Sequence, residues 1–221
     1  MKESSKADLK VSCHPSQSFI YSIVSYLIVF PIFRFFFRGR TFGNNNVPKF
    51  GPLVVVSNHG SDIDPPIIGH ALGRPVSFMA KAELFKIPLL SYVIRACGAY
   101  PVKRGASDRE AIRIASNRLR EGWAIGLFLD GTRQGDGRVN NPMAGAALLA
   151  ARNGAPLLPV AIINSYRVLG KGSRWLRLLP VHMRIGNPIP PPQSRRKIDL
   201  EKTTQRLQQE INSLIDKGLI S

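Results

Sequence analysis

Two polar turns carry side chains of types and spacings that could do chemistry. The first is Asn58-His59-Gly60-Ser61-Asp62-Ile63-Asp64, placed directly after the apolar run Leu53-Val-Val-Val56. His59 and Asp64 lie five residues apart across a chain reversal, so an imidazole and a carboxylate can meet there. A carboxylate on one ring nitrogen fixes the tautomer, stabilises the imidazolium and leaves the other nitrogen as a base. The same residues also read as a plain helix start, with Asp64 as a cap before Pro65 and His59 in solvent. The second turn is Asp130-Gly131-Thr132-Arg133, after Trp123-Ala-Ile-Gly-Leu-Phe-Leu129. A guanidinium beside backbone N–H groups suits a phosphate, although a β-turn with a surface ion pair would use the same residues. Two more cationic groups follow apolar runs: Lys81, in Lys81-Ala-Glu83-Leu-Phe-Lys86-Ile-Pro88, and Lys103-Arg104, after Gly98-Ala-Tyr-Pro-Val. Each of these, taken alone, also reads as a solvated strand end or a helix-surface pair.

The residue inventory narrows the reaction class. No serine sits in a G-x-S-x-G turn and neither cysteine has a catalytic setting, so a covalent acyl-enzyme is not indicated. There is no phosphate-binding G-x-x-x-x-G-K-[ST] loop and no glycine-rich dinucleotide fingerprint. The two cysteines, Cys13 and Cys97, form no close-spaced cluster with histidine. The expectation is therefore no metal, no bound cofactor and a cytosolic exposure. His70 and His182 have no partner pattern and read as structural; Trp123 and Trp175 read as core or interfacial.

The elements that must position these groups can be read from periodicity. Continuous apolar runs at 53–58, 75–81, 99–104, 123–130, 156–163 and 181–186 predict strands. Ser107-Asp-Arg-Glu110 is a capping box that opens a helix through about residue 121. A second helix is predicted to start at Pro142 and stop at Asn153-Gly154. A third, amphipathic one runs from Ile198 to Asp216. Strands alternating with helices predict an α/β domain with a mostly parallel or mixed central sheet flanked by helices. Each polar segment then falls at the end of a strand, where open α/β sheets place ligands. The chain of 221 residues, 44% apolar and 20% charged, is long enough for one such domain and too apolar for disorder.

The amino-terminal part differs. Residues 1–18 read as a flexible tail and 19–42 as a membrane-associating segment. Phe19 to Phe33 contains no charge and includes Pro31. As a helix it would cover about 22 Å, against about 30 Å for a hydrocarbon core. No small-x-small cleavage site follows, so the segment reads as a retained anchor and not as a signal peptide. Arg34, Arg38, Arg40 and Lys49 place the basic side, and the following domain, on the cytoplasmic face against anionic lipid. The net charge of +17 is spread along the chain and calls for an anionic partner. No basic tail, aromatic RNA platform or helix-turn-helix is present, so nucleic acid is not expected. A non-enzymatic binder of anionic lipid or nucleic acid is the different-class reading of the charge.

Taken together, the motifs resemble those of the 1-acylglycerol-3-phosphate acyltransferase family. N-H-x-x-x-x-D is met by Asn58, His59 and Asp64. K-x-E-L-x-x-x-P is met from Lys81 to Pro88, and the G-x-x-F-x-x-R block corresponds to Gly98 through Arg104. E-G-T-R corresponds to Asp130-Gly131-Thr132-Arg133, and an apolar strand follows at Leu158-Pro-Val-Ala-Ile162. Two positions depart: Asp130 stands for Glu, and Pro101-Val-Lys103 for Phe-x-Asp. The resemblance implies residues 43–221 as an acyltransferase domain. The implied reaction moves a fatty acyl group from a thioester, on acyl-coenzyme A or acyl carrier protein, to the free hydroxyl of a lysophosphatidic acid at a membrane. Glycerol-3-phosphate, another lysophospholipid or a lyso-aminolipid would use the same machinery. His59 and Asp64 would be catalytic. Lys81, Arg104, Asp130, Gly131, Thr132 and Arg133 would bind substrate.

Overall fold

The computed structural model describes residues 19–102, 108–170 and 175–218. The tail 1–18, Arg104 and the capping residue Ser107 lie outside these. The run at 53–58 becomes β2 (Leu53–Ser57), buried along its whole length. Its alternate side chains serve two different layers. Val54 and Val56 pack into one apolar cluster and Leu53 and Val55 into another, so both faces must be apolar.

Among the described residues seven strands form one sheet in the order β1-β7-β6-β2-β5-β3-β4. The remaining strands are β1 (Arg40–Phe42), β3 (Val76–Lys81), β4 (Tyr100–Val102), β5 (Ala124–Phe128), β6 (Leu157–Ile163) and β7 (His182–Ile185). All neighbouring pairs are parallel except β6 with β7, so the sheet is mixed, as expected. Every strand read from the sequence is present. The unexpected one is β1, three residues within the segment assigned to the anchor. It pairs with β7 from Arg40 opposite His182, so the sheet begins before residue 43.

The helices are α1 (Phe19–Phe36), α2 (Asp64–Ala71), α3 (Pro88–Ala96), α4 (Asp108–Arg120), α5 (Gly145–Asn153), α6 (Ser165–Val168) and α7 (Lys197–Gly218). The second expected helix starts at Gly145, after Pro142, and stops at Gly154, whose φ of +60° closes its end. Leu119, Leu149 and Leu207, from α4, α5 and α7, lie in the cluster with Val54; Ile67 and Ile68 of α2 and Phe33 of α1 lie in the other. The sheet thus sits between two helical layers.

β2 and β5 are neighbours whose outgoing connections diverge. From β2 the chain passes through α2 to β3, beyond β5; from β5 it passes through α5 to β6, beyond β2. α2 and α5 cover opposite faces. This divergence opens a crevice at the carboxyl ends of the two strands. The two polar turns both fall there.

α1 passes through π-helical turns at Val24–Val29 and Ile32–Phe36. Only Ser25, Val29 and Phe33 of it are buried, followed by Phe37. That every-fourth stripe docks on α2, where Ser25 Oγ and His70 Nδ1 share a 2.9 Å hydrogen bond and Tyr21 donates to the Arg74 carbonyl at 3.1 Å. His70 is therefore structural, packed edge-on by Tyr26 and Phe33. The outer face, with Phe19, Leu27 and Phe35 each at least 70% exposed, has no cover among the described residues. By length and composition α1 is able to cross a membrane.

Candidate active site

Asp64 opens α2 and is fully buried. Its Oδ2 accepts from the backbone N–H groups of Gly60 at 2.8 Å and Ser61 at 2.9 Å, and lies 2.9 Å from His59 Nδ1. The carboxylate can only accept, so Nδ1 carries the hydrogen and Nε2 is left with a free lone pair. The five-residue offset therefore makes a dyad, and the two N–H bonds show that Asp64 also ties the turn.

His59 is held flat against Phe128, with ring centroids 3.7 Å apart and planes 8° from parallel. Phe128 stacks in turn on Phe78, at 5.6 Å. The Phe78 ring lies over Gly126 of the adjacent strand, where a Cβ would strike it. Three rings thus run from β3 across β5 to the loop after β2. The His59 side chain keeps 15% exposure, so part of the ring reaches solvent while its face is fixed.

Asn58 anchors the His59 turn from behind. It is buried, donates 2.7 Å bonds to the carbonyls of Gly137 and Ile162, and accepts from the Ile162 N–H at 2.8 Å. One carboxamide therefore ties the end of β2 to the end of β6 and to the loop after β5. The His59 carbonyl accepts from the Gln134 N–H at 2.8 Å, which closes that loop over the turn.

The second polar turn meets the first through Arg133, whose Nη1 lies 2.7 Å from Asp62 Oδ2. Asp62 is 59% exposed and Arg133 22%. Thr132 is exposed. Gly131 turns the chain with φ +64°, and a Cβ there would meet Met143 Sδ at 2.9 Å. Asp130 is buried, and its carboxylate accepts from the N–H groups of Asn141 at 2.8 Å and Asn140 at 3.3 Å. It shapes the loop that follows the turn. Lys81 is exposed at the end of β3, beyond β5 from His59. Arg104 lies outside the described residues.

Sequence reasoning passed over Asp62, Phe78 and Phe128. Asp62 was visible as a second carboxylate in a turn facing a predicted cation. The rings were not, since their stacking depends on strand order.

Beside the dyad lies a cavity of about 360 Å³ between α1, α2, β3 and α3. Its wall is almost wholly apolar, with Val29, Phe78, Val93 and Ile94 among its lining, and Asp62 also borders it. Burial pushes the thiol of Cys97, another lining residue, up to about 11. Among the described residues no cluster of His, Cys, Asp and Glu could hold a metal ion.

The acyltransferase family profile matches residues 40–163. The 1-acyl-sn-glycerol-3-phosphate acyltransferase of Borreliella burgdorferi is 27% identical over 80% of this chain and 68% of its own. A chloroplastic protein of the same name from Brassica napus is 28% identical over 72% of this chain and 45% of its own. The chain thus spans about half the length of some of the curated relatives it matches. The crystal structure of the 1-acyl-sn-glycerophosphate acyltransferase of Thermotoga maritima superposes with a TM-score of 0.67. It is 28% identical and covers 87% of this chain and 82% of that one.

Proposed function

The chain belongs to the acyltransferase family, and from that premise we propose that it moves a fatty acyl group from a thioester to the free hydroxyl of a lysophosphatidic acid, giving phosphatidic acid. The observation that carries this reading is the His59–Asp64 pair, with Nδ1 on the carboxylate at 2.9 Å and Nε2 open at the crevice. Nε2 takes the acceptor hydroxyl proton as the oxygen attacks the thioester carbonyl carbon. The tetrahedral intermediate collapses, the C–S bond breaks, and the leaving sulfur takes the proton back from the imidazolium that Asp64 stabilises. No covalent enzyme intermediate is needed. General-base help of this kind is worth roughly 10²- to 10⁴-fold.

Arg133, Lys81 and Arg104 are the cations for the acceptor phosphate, which turns binding energy into orientation of the hydroxyl. An acyl chain fits the apolar cavity beside Asp62. The donor is acyl-coenzyme A or acyl carrier protein, used as a substrate. The outer face of α1 and the cations Arg34, Arg38 and Arg40 hold the domain on the cytoplasmic side of an anionic membrane, where such an acceptor resides. The amino-terminal segment 19–42 is both anchor and domain wall, followed by the catalytic domain.

The test is a panel of lysophosphatidic acid, glycerol-3-phosphate, other lysophospholipids and lyso-aminolipids, offered with each donor and read by mass spectrometry. Phosphatidic acid is the expected product, lost with His59→Ala while circular dichroism stays unchanged. Activity of His59→Ala within about tenfold of wild type would remove His59 as the base.

A further inference from the structure

α3 is apolar on two faces, and none of its residues is buried. Leu90, Val93, Ile94 and Cys97 point one way and line the cavity. Leu89 and Tyr92 point the other way, 78% and 62% exposed, and the turn before them adds Ile87 at 52%. Among the described residues nothing covers that outer face, so the fold leaves it unaccounted for. Cations flank that face. Lys86 is exposed at its start, and Arg95 is exposed at its end, its guanidinium 5.0 Å from the Phe85 ring centroid. α1 lies alongside: the two helices touch, share the walls of the cavity, and each presents an uncovered apolar face.

We propose that α3 is a second bilayer-inserted element. Its Leu89–Tyr92 face sits among acyl chains, Lys86 and Arg95 sit at the anionic headgroups, and the seam between α1 and α3 is the lateral passage by which a lipid chain leaves the bilayer for the cavity. The occupant is a bilayer, because an apolar stripe bounded by cations matches the layering of an anionic leaflet. The patch is also continuous with the outer face of α1, and the cavity behind it is apolar. This inference rests on the proposed membrane reading and extends it from α1 to a helix deep in the sequence.

The experiment uses the full chain with its native cysteines replaced (Cys13→Ser, Cys97→Ala). An environment-sensitive dye is attached in turn at Leu89→Cys, at Leu27→Cys on α1, and at Gln209→Cys on the exposed surface of α7. Vesicles of phosphatidylcholine and phosphatidylglycerol carry doxyl quenchers in their acyl chains. Quenching at positions 27 and 89 but not at 209 is the expected result. Quenching at 27 alone overturns the role of α3 and leaves the membrane reading standing, whereas failure to bind vesicles at all overturns both. As a dye-free check, Leu89→Glu with Tyr92→Glu should lower the vesicle partition coefficient about tenfold or more with circular dichroism unchanged. An unaltered coefficient, or a stable dimer that protects position 89 without vesicles, overturns the proposal.

Discussion

His59 has Nδ1 committed to Asp64, which leaves Nε2 as the nitrogen able to act as a base. The pair was legible in the sequence, since a carboxylate five residues on, across a turn, can reach an imidazole whatever the rest of the chain does. Asp130 was not legible in the same way. Its direction is decided by the loop at 131–141 folding back to present two N–H groups, which no local spacing encodes. Arg133 was expected as a phosphate ligand, and in the structure it pairs with an anion, Asp62. A phosphate bound there as proposed would compete with that carboxylate for the guanidinium and sit beside its charge. Asp62→Asn removes the competitor and the repulsion, so the acceptor KM is expected to fall. Exposed ion pairs are worth about 0.2–1 kcal/mol, which sets the fall at about 1.5- to 5-fold. Steady-state kinetics with varied acceptor measures it, and a raised KM would mean that Asp62 instead holds Arg133 ready for substrate.

The strands were readable because a central parallel strand must be apolar on both sides, as Leu53–Ser57 is. β1 and α3 were harder because both are short. β1 has three residues, too few for a period to emerge, and α3 has nine, with Ser91 and Arg95 on its polar side. The docking of α1 on α2 depends on a contact between Ser25 and His70, 45 positions apart, and only the folded chain brings them together. Burial lowers the His70 pKa from its ordinary 6.5. The unfolded chain therefore takes up its proton first, and stability present above about pH 6.5 is lost as the pH falls through that value towards the folded-state one. Thermal unfolding at about pH 7.5 and about pH 5.5 is expected to show a drop in midpoint for the wild type and a smaller one for His70→Asn. Equal drops would place the acid sensitivity elsewhere.

At the scale of the whole molecule, a charge of +17 and the two apolar helix faces would act on the proposed anionic membrane by different physics. Salt shortens the reach of the charges from about 10 Å at 0.1 M to about 3 Å at 1 M and leaves the apolar contact in place. Flotation with anionic vesicles across that range is expected to lose part of the bound protein and retain the rest. Complete release at high salt would reduce α1 to a passive wall of the domain. The spread of charge was plain from composition, but which faces lacked cover was not, because exposure belongs to the assembled layers. The aromatic ladder links these outer surfaces to the centre. Phe78 borders the cavity, Phe128 stacks on it, and His59 lies flat on Phe128. The His59 ring protons must therefore lie in the shielding cone of Phe128 and resonate upfield of an ordinary histidine. A chain filling the cavity and nudging Phe78 would move those lines without touching His59, so one imidazole signal would report cavity occupancy from inside the reaction centre.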